Sequence, residues 1–80
     1  MNYGYECKGW SAEKKERLAL KVAEIIEGAS YVGGSTIRAT VEVDEAYPGV
    51  RIRKMGWMTE KSQANVIATM DYAYEAEARR

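Results

Sequence analysis

Polar and apolar positions alternate at the start of the chain. Tyr3, Tyr5 and Cys7 fall on one side, and Asn2, Gly4, Glu6 and Lys8 on the other. Period two is the signature of a strand, whose side chains point to opposite faces in turn. Residues 2–8 are therefore expected to form a short strand, ended by Gly9 and Trp10. Ser11 then offers a hydroxyl suited to an N-cap. Over residues 12–27 the period lengthens. Leu18, Val22, Ile25, Ile26 and Ala29 recur at helical spacing, and Gly28 stands where a glycine commonly ends a helix. The charges of this helix run against its dipole. Lys14, Lys15 and Arg17 come early, Glu24 and Glu27 come late, and only Glu13 is well placed. Each misplacement costs roughly a few tenths of a kcal/mol, so contacts with another element would have to select for the arrangement.

Gly33 and Gly34 open a new segment. Ile37, Ala39, Val41 and Val43 alternate with Arg38, Thr40, Glu42 and Asp44, the strongest strand pattern in the chain. Tyr47, Pro48 and Gly49 are turn chemistry: proline presets φ, and glycine accepts a positive φ. Val50 and Ile52 then alternate with Arg51 and Arg53, which predicts an antiparallel hairpin with Glu42 and Asp44 facing the two arginines. At Lys54 the alternation fails, and a bulge there would return Met55 and Trp57 to the inner side. Thr59 caps a second helix able to run to the C-terminus. Ile67, Met70 and Tyr74 form its apolar stripe, with Val66 and Ala73 beside it. Asp71, Glu75 and Glu77 give it an acidic, solvated side, and Arg79 and Arg80 suit a helix end.

The order β-α-β-β-α predicts an α+β two-layer sandwich, with two helices on one face of a three-stranded sheet. Residues 1–80 read as one domain. The place of the first strand stays open; a parallel pairing across the first helix would require a right-handed crossover. The run from Gly9 to Lys14 echoes the run from Gly56 to Lys61, each at a strand-to-helix corner with a tryptophan. The echo is too short to be a repeat.

Composition narrows the function classes. Hydrophobic residues make up 46% of the chain, which is globular, and twelve basic residues balance twelve acidic ones. With no net charge, nothing global attracts nucleic acid or a membrane surface, and no apolar run is long enough to span a bilayer. One cysteine, no histidine and a polar, tyrosine-rich start point to an intracellular, cytoplasmic protein.

The missing imidazole removes the commonest general base and metal ligand. Cys7 has no partner base, lies on the apolar side of its strand, and is expected to be buried and inert. Glu42 and Asp44 face arginines, Glu45 sits in a turn, and no EF-hand spacing exists. Gly33, Gly34 and Ser35 lead into a strand and not a helix, so they read as a plain turn. A KH-type GxxG loop between helices is likewise absent. The chain is expected not to be an enzyme and to need no metal or cofactor.

Two features could meet a partner. Arg51, Arg53 and Lys54, with Arg38 and Lys8, could track a phosphate backbone while Tyr3 and Tyr5 stack bases, although Glu42 and Asp44 would cancel much of that field. The aromatic inventory is six tyrosines, two tryptophans and no phenylalanine, residues that favour half-buried and interface positions. Tyr31 and Tyr47 fall in loops, and Tyr72 lies off the apolar stripe. A tyrosine held beside Pro48, with Arg51 and Arg53 adjoining, has the make-up of a binding hot spot. The expected function is a non-catalytic module that binds a larger intracellular protein or complex, using Tyr47, Arg51, Arg53, Arg38 and Tyr72. An inhibitor of host defence of the viral or mobile-element type is one version. A nucleic-acid-binding hairpin and a self-assembling homo-oligomer, such as a homodimer, are the alternatives. Thermal unfolding midpoints with and without EDTA are expected to coincide; a drop of several degrees in chelator would reveal a structural metal.

Overall fold

The computed structural model describes residues 3–29, 39–44, 46–56 and 58–80, apart from the side chains of Ala39, Lys54 and Met55. The expectations placed on Tyr31, Gly33, Gly34, Ser35, Ile37, Arg38, Glu45 and Trp57 lie outside the described residues. Five elements follow one another: β1 (Tyr3–Glu6), α1 (Ala12–Ala29), β2 (Ala39–Asp44), β3 (Gly49–Met55) and α2 (Glu60–Ala78). They form the α+β two-layer arrangement, with one three-stranded sheet in the order β1-β3-β2. Both pairings are antiparallel. β1 thus joins the far side of the hairpin, and the crossover through α1 passes the central strand.

The alternation read in the sequence sorts the two faces. Tyr3 lies opposite Ile52 and Tyr5 opposite Val50, while Val41 and Val43 meet the same two residues from the other side. These positions face the helices. Val50, Ile52, Leu18, Val22, Ile26, Met70 and Val66 are buried in a single core with Tyr5 and Cys7. Between Thr40 and Val41 the register shifts, so that Lys54 lies opposite Thr40 and Met55 opposite Ala39. This is the bulge that the broken alternation at Lys54 requires.

Both helices start as their caps dictate. The Lys14 amide donates to Ser11 Oγ at 3.2 Å, and the Ser62 amide donates to Thr59 Oγ1 at 3.2 Å. Gly9 turns the chain into α1 with φ 84°, a value that glycine adopts without strain. Gly28 does not end α1. The helix continues to Ala29, which packs against the core, and Gly28 has no positive φ. Burial of the last apolar residue outweighs the cost of a glycine within the helix.

Gly49 is a second correction. It opens β3 without a positive φ. Its amide instead closes a tight turn on the Tyr47 carbonyl at 2.6 Å. Glycine is required there by contact: a Cβ would lie 1.8 Å from the Tyr5 carbonyl oxygen. The Cys7 amide donates to the Pro48 carbonyl at 2.8 Å and locks the same corner.

The helices run antiparallel. Lys14 Nζ donates to the Arg80 carbonyl at 3.4 Å, and Arg17 Nε lies 3.0 Å from Glu77 Oε1. Lys14 and Arg17 therefore meet the negative end of α2, which accounts for these two early cations of α1. Two glycine substitutions separate contact from propensity. Gly49→Ala is expected to cost about 3 kcal/mol or more by forcing β1 off β3. Gly28→Ala, whose Cβ meets nothing within 4 Å, should stabilise by roughly 0.5–1 kcal/mol. Urea unfolding of the two variants checks both signs.

Candidate functional site

Three surfaces gather the residues with chemical potential. The first is the sheet face turned away from the helices. Arg53 Nε donates to Glu42 Oε1 at 2.5 Å, and its Nη2 donates to Asp44 Oδ2 at 2.9 Å. Arg51 Nη1 lies 3.5 Å from the same Asp44 oxygen. Asp44 is buried, and its other oxygen accepts the Ala46 amide at 2.9 Å. The cross-strand alternation thus yields the pairing expected from Glu42 and Asp44. Both arginines are neutralised by neighbours.

Tyr47 belongs to this face as well. Its ring lies over Gly4, where a Cβ would sit 3.1 Å from Cε1. The Arg51 guanidinium stands 4.6 Å from the ring centroid, a cation–π contact. Tyr47, Arg51 and Arg53 are brought together, but the tyrosine folds back on the sheet and is only half exposed. Pro48 does not project it into solvent.

The second surface is an aromatic row at the β1 edge. Trp10 stacks on Tyr74 at 5.4 Å between centroids, Tyr74 stacks on Tyr5 at 4.9 Å, and Tyr5 meets Tyr3 edge-on at 5.4 Å. Lys14 Nζ caps the row, 4.8 Å from the Trp10 ring. The hydroxyls are all engaged. Tyr3 and Tyr5 donate to Asp71 Oδ1 at 3.0 and 2.6 Å, and Tyr74 donates to the Glu6 carbonyl at 2.6 Å. Tyr5 is 6% exposed, so its ring offers no open stacking platform. Asp71 is not on a solvated acidic side. The two strand tyrosines reach α2 and recruit it.

Burial, followed by the Asp71 hydrogen bonds, raises the phenol pKa of Tyr3 and Tyr5 above the ordinary 10.0. Burial also raises Tyr74 and the Cys7 thiol, and Cys7 is 2% exposed. A buried thiol held neutral has little nucleophilic character. Glu77 moves the other way, its carboxyl lowered first by the hydrogen bond from Arg17. Among the described residues, no group of three or more His, Cys, Asp or Glu side chains is arranged to hold a metal ion. No helix among them is long and apolar enough to cross a membrane.

The third surface lies on the helices, away from the sheet. A groove of about 630 Å³ runs between α1 and α2. Ile25, Thr69, Ala73 and Ala76 line it, with Leu20 on one flank and Tyr72 on the other. Leu20 is 67% exposed and Tyr72 is 77% exposed, and they are the large hydrophobic side chains left in solvent among the described residues. Tyr72 was legible as an aromatic off the apolar stripe. Leu20 was missed, although it too lies off the stripe formed by Leu18, Val22 and Ile25. The small residues Ala73 and Ala76 make the groove, and their role depends on which helix faces α2.

Comparison with protein-family models, with curated proteins and with solved structures finds no match for the chain. The alkaline behaviour of the aromatic row checks its geometry. Unfolded tyrosines lose their protons near pH 10, while those of Tyr3 and Tyr5 are retained in the fold. Their stabilising contribution is therefore full below pH 10 and is lost as pH rises above it. Tyr5→Phe is expected to lower stability at neutral pH by roughly 1.5–3 kcal/mol and to flatten the alkaline decline. Thermal midpoints from pH 8 to pH 11 measure both effects.

Proposed function

We propose that the chain is a non-catalytic protein-binding module that docks through the α1/α2 face. The observation that carries this reading is the exposure of Leu20 and Tyr72 on opposite flanks of one groove. Large apolar side chains left in solvent as a pair beside a concavity mark an interaction surface more often than scattered ones do. A tyrosine supplies contact area with little conformational entropy to lose, which makes it an efficient anchor.

The other surfaces support the same choice by being internally satisfied. The carboxylates of Glu42 and Asp44 are tied to arginines and that of Asp71 to tyrosines, which takes them from acid–base work. Arg51 and Arg53 offer less to a phosphate backbone because Glu42 and Asp44 already neutralise them. Tyr47, Arg51 and Arg53 remain candidates for a secondary contact at the rim of a larger interface. An inhibitor that covers a surface of a larger intracellular protein, of the viral or mobile-element type, is one form the module could take.

Affinity capture with the wild-type chain, the Leu20→Asp/Tyr72→Ala variant and the Arg51→Glu/Arg53→Glu variant tests the reading. The first variant is expected to fold, as judged by circular dichroism, and to lose the captured protein. The second is expected to retain it. Binding to single-stranded or duplex nucleic acid that persists at physiological salt and vanishes in the arginine variant would replace this reading with the hairpin one.

A further inference from the structure

We infer that the partner that fits the α1/α2 groove is a second copy of this chain, joined across a two-fold axis beside α1. The inference rests on the reading of that face as a docking surface and names its occupant. The charges lining the groove carry the argument. Arg17 and Arg80 are spent on Glu77, at 3.0 and 3.7 Å. Lys21 and Glu24 line the same groove, and their side chains have no ion pair or hydrogen bond among the described residues. One free cation and one free anion, three residues apart on one exposed helix face, are self-complementary. In an isologous contact, residue i meets residue j and residue j meets residue i. An antiparallel meeting of two α1 helices therefore sets Lys21 of each chain against Glu24 of the other.

The same register suits the apolar side chains. It places the exposed Leu20 opposite Ile25 of the second copy, at the groove floor. It also brings Arg17 opposite Gly28, whose lack of a side chain lets the two helices approach; a Cβ there would meet nothing within 4 Å in its own chain. Tyr72, on the neighbouring helix, then closes over the flank of the contact. The zero net charge of the chain removes long-range repulsion between copies.

The contact is modest in size. Helices of 18 and 19 residues are roughly 27 Å long and about 10 Å wide each. The footprint is thus smaller than the roughly 800 Å² per partner of a standard stable interface. The pairing is reversible and of micromolar strength or weaker, and it leaves the face available to a tighter partner.

Sedimentation velocity of the full chain from about 10 to 500 μM tests the inference. The weight-average mass of the wild type is expected to rise from 9.0 kDa toward twice that value. Lys21→Glu alone and Glu24→Lys alone should each weaken self-association by about tenfold or more. An equimolar mixture of the two should form a heterodimer, because both cross-pairs are then attractive, and the double variant should associate as the wild type does. Circular dichroism confirms that each variant is folded. A wild type that stays monomeric, single variants that still associate, or a mixture that fails to pair would each overturn the inference. A monomeric wild type whose captured partner is lost in Leu20→Asp/Tyr72→Ala would overturn the second copy as occupant and leave the docking reading standing. A monomer whose captured partner ignores that substitution would overturn both.

Discussion

The Asp71 carboxylate joins the second helix to the sheet. One of its oxygens accepts the hydroxyls of both Tyr3 and Tyr5, so that two side chains from the edge strand converge on one point of α2. Apolar burial at Val66 and Met70 supplies the adhesion, but it has no direction. The shared carboxylate fixes how far along β1 the helix sits, because hydrogen bonds demand geometry and hydrophobic contact does not. The other contacts follow from that position. Tyr74 is brought between Tyr5 and Trp10, its hydroxyl reaches the Glu6 carbonyl, and Glu77 arrives beside Arg17.

The charge pattern of α1 shows the same dependence at longer range. Taken alone, a helix with early cations and late anions is poorly designed. Set antiparallel to α2, its cations lie at the carbonyl end of the neighbour and on Glu77. For Lys14 and Arg17 the cost is local and the gain is between elements, so their placement reports an arrangement of helices that no single helix contains. The outer sheet face is its counterpart. There the charges are satisfied across neighbouring strands, and the arginines lose their reach toward external anions.

Much of the fold was legible because its signals are periodic and local. Alternation gave the hairpin and its inward residues, Ser11 and Thr59 gave both helix starts, and the failed alternation at Lys54 gave the bulge. What escaped depends on pairs far apart in the chain. Gly49 looks like a turn glycine, but its reason is the Tyr5 carbonyl more than forty residues earlier. Asp71 looks solvated until β1 is known to lie beneath α2. Of the candidate site residues, Tyr72 is in solvent as its position suggested, and Arg51 and Arg53 share a face with Tyr47 as the hairpin implied. Tyr47 lies back on the outer face of the sheet and does not project into solvent, an outcome that depends on Gly4 being bare and adjacent. Arg38 lies outside the described residues.

The central position of β3 has a consequence for biosynthesis. Of the five described elements β1 is made before the others, yet its strand partner among the described residues is the third strand in sequence. Until β3 has been made, the amide and carbonyl groups of Tyr3 and Tyr5 have no ladder to join, and their rings have no helix above them. α1 can form meanwhile from local interactions, and the hairpin closes over a short span of chain. β1 must wait for the central strand to exist, so these elements are assembled in a different order from that in which they are written.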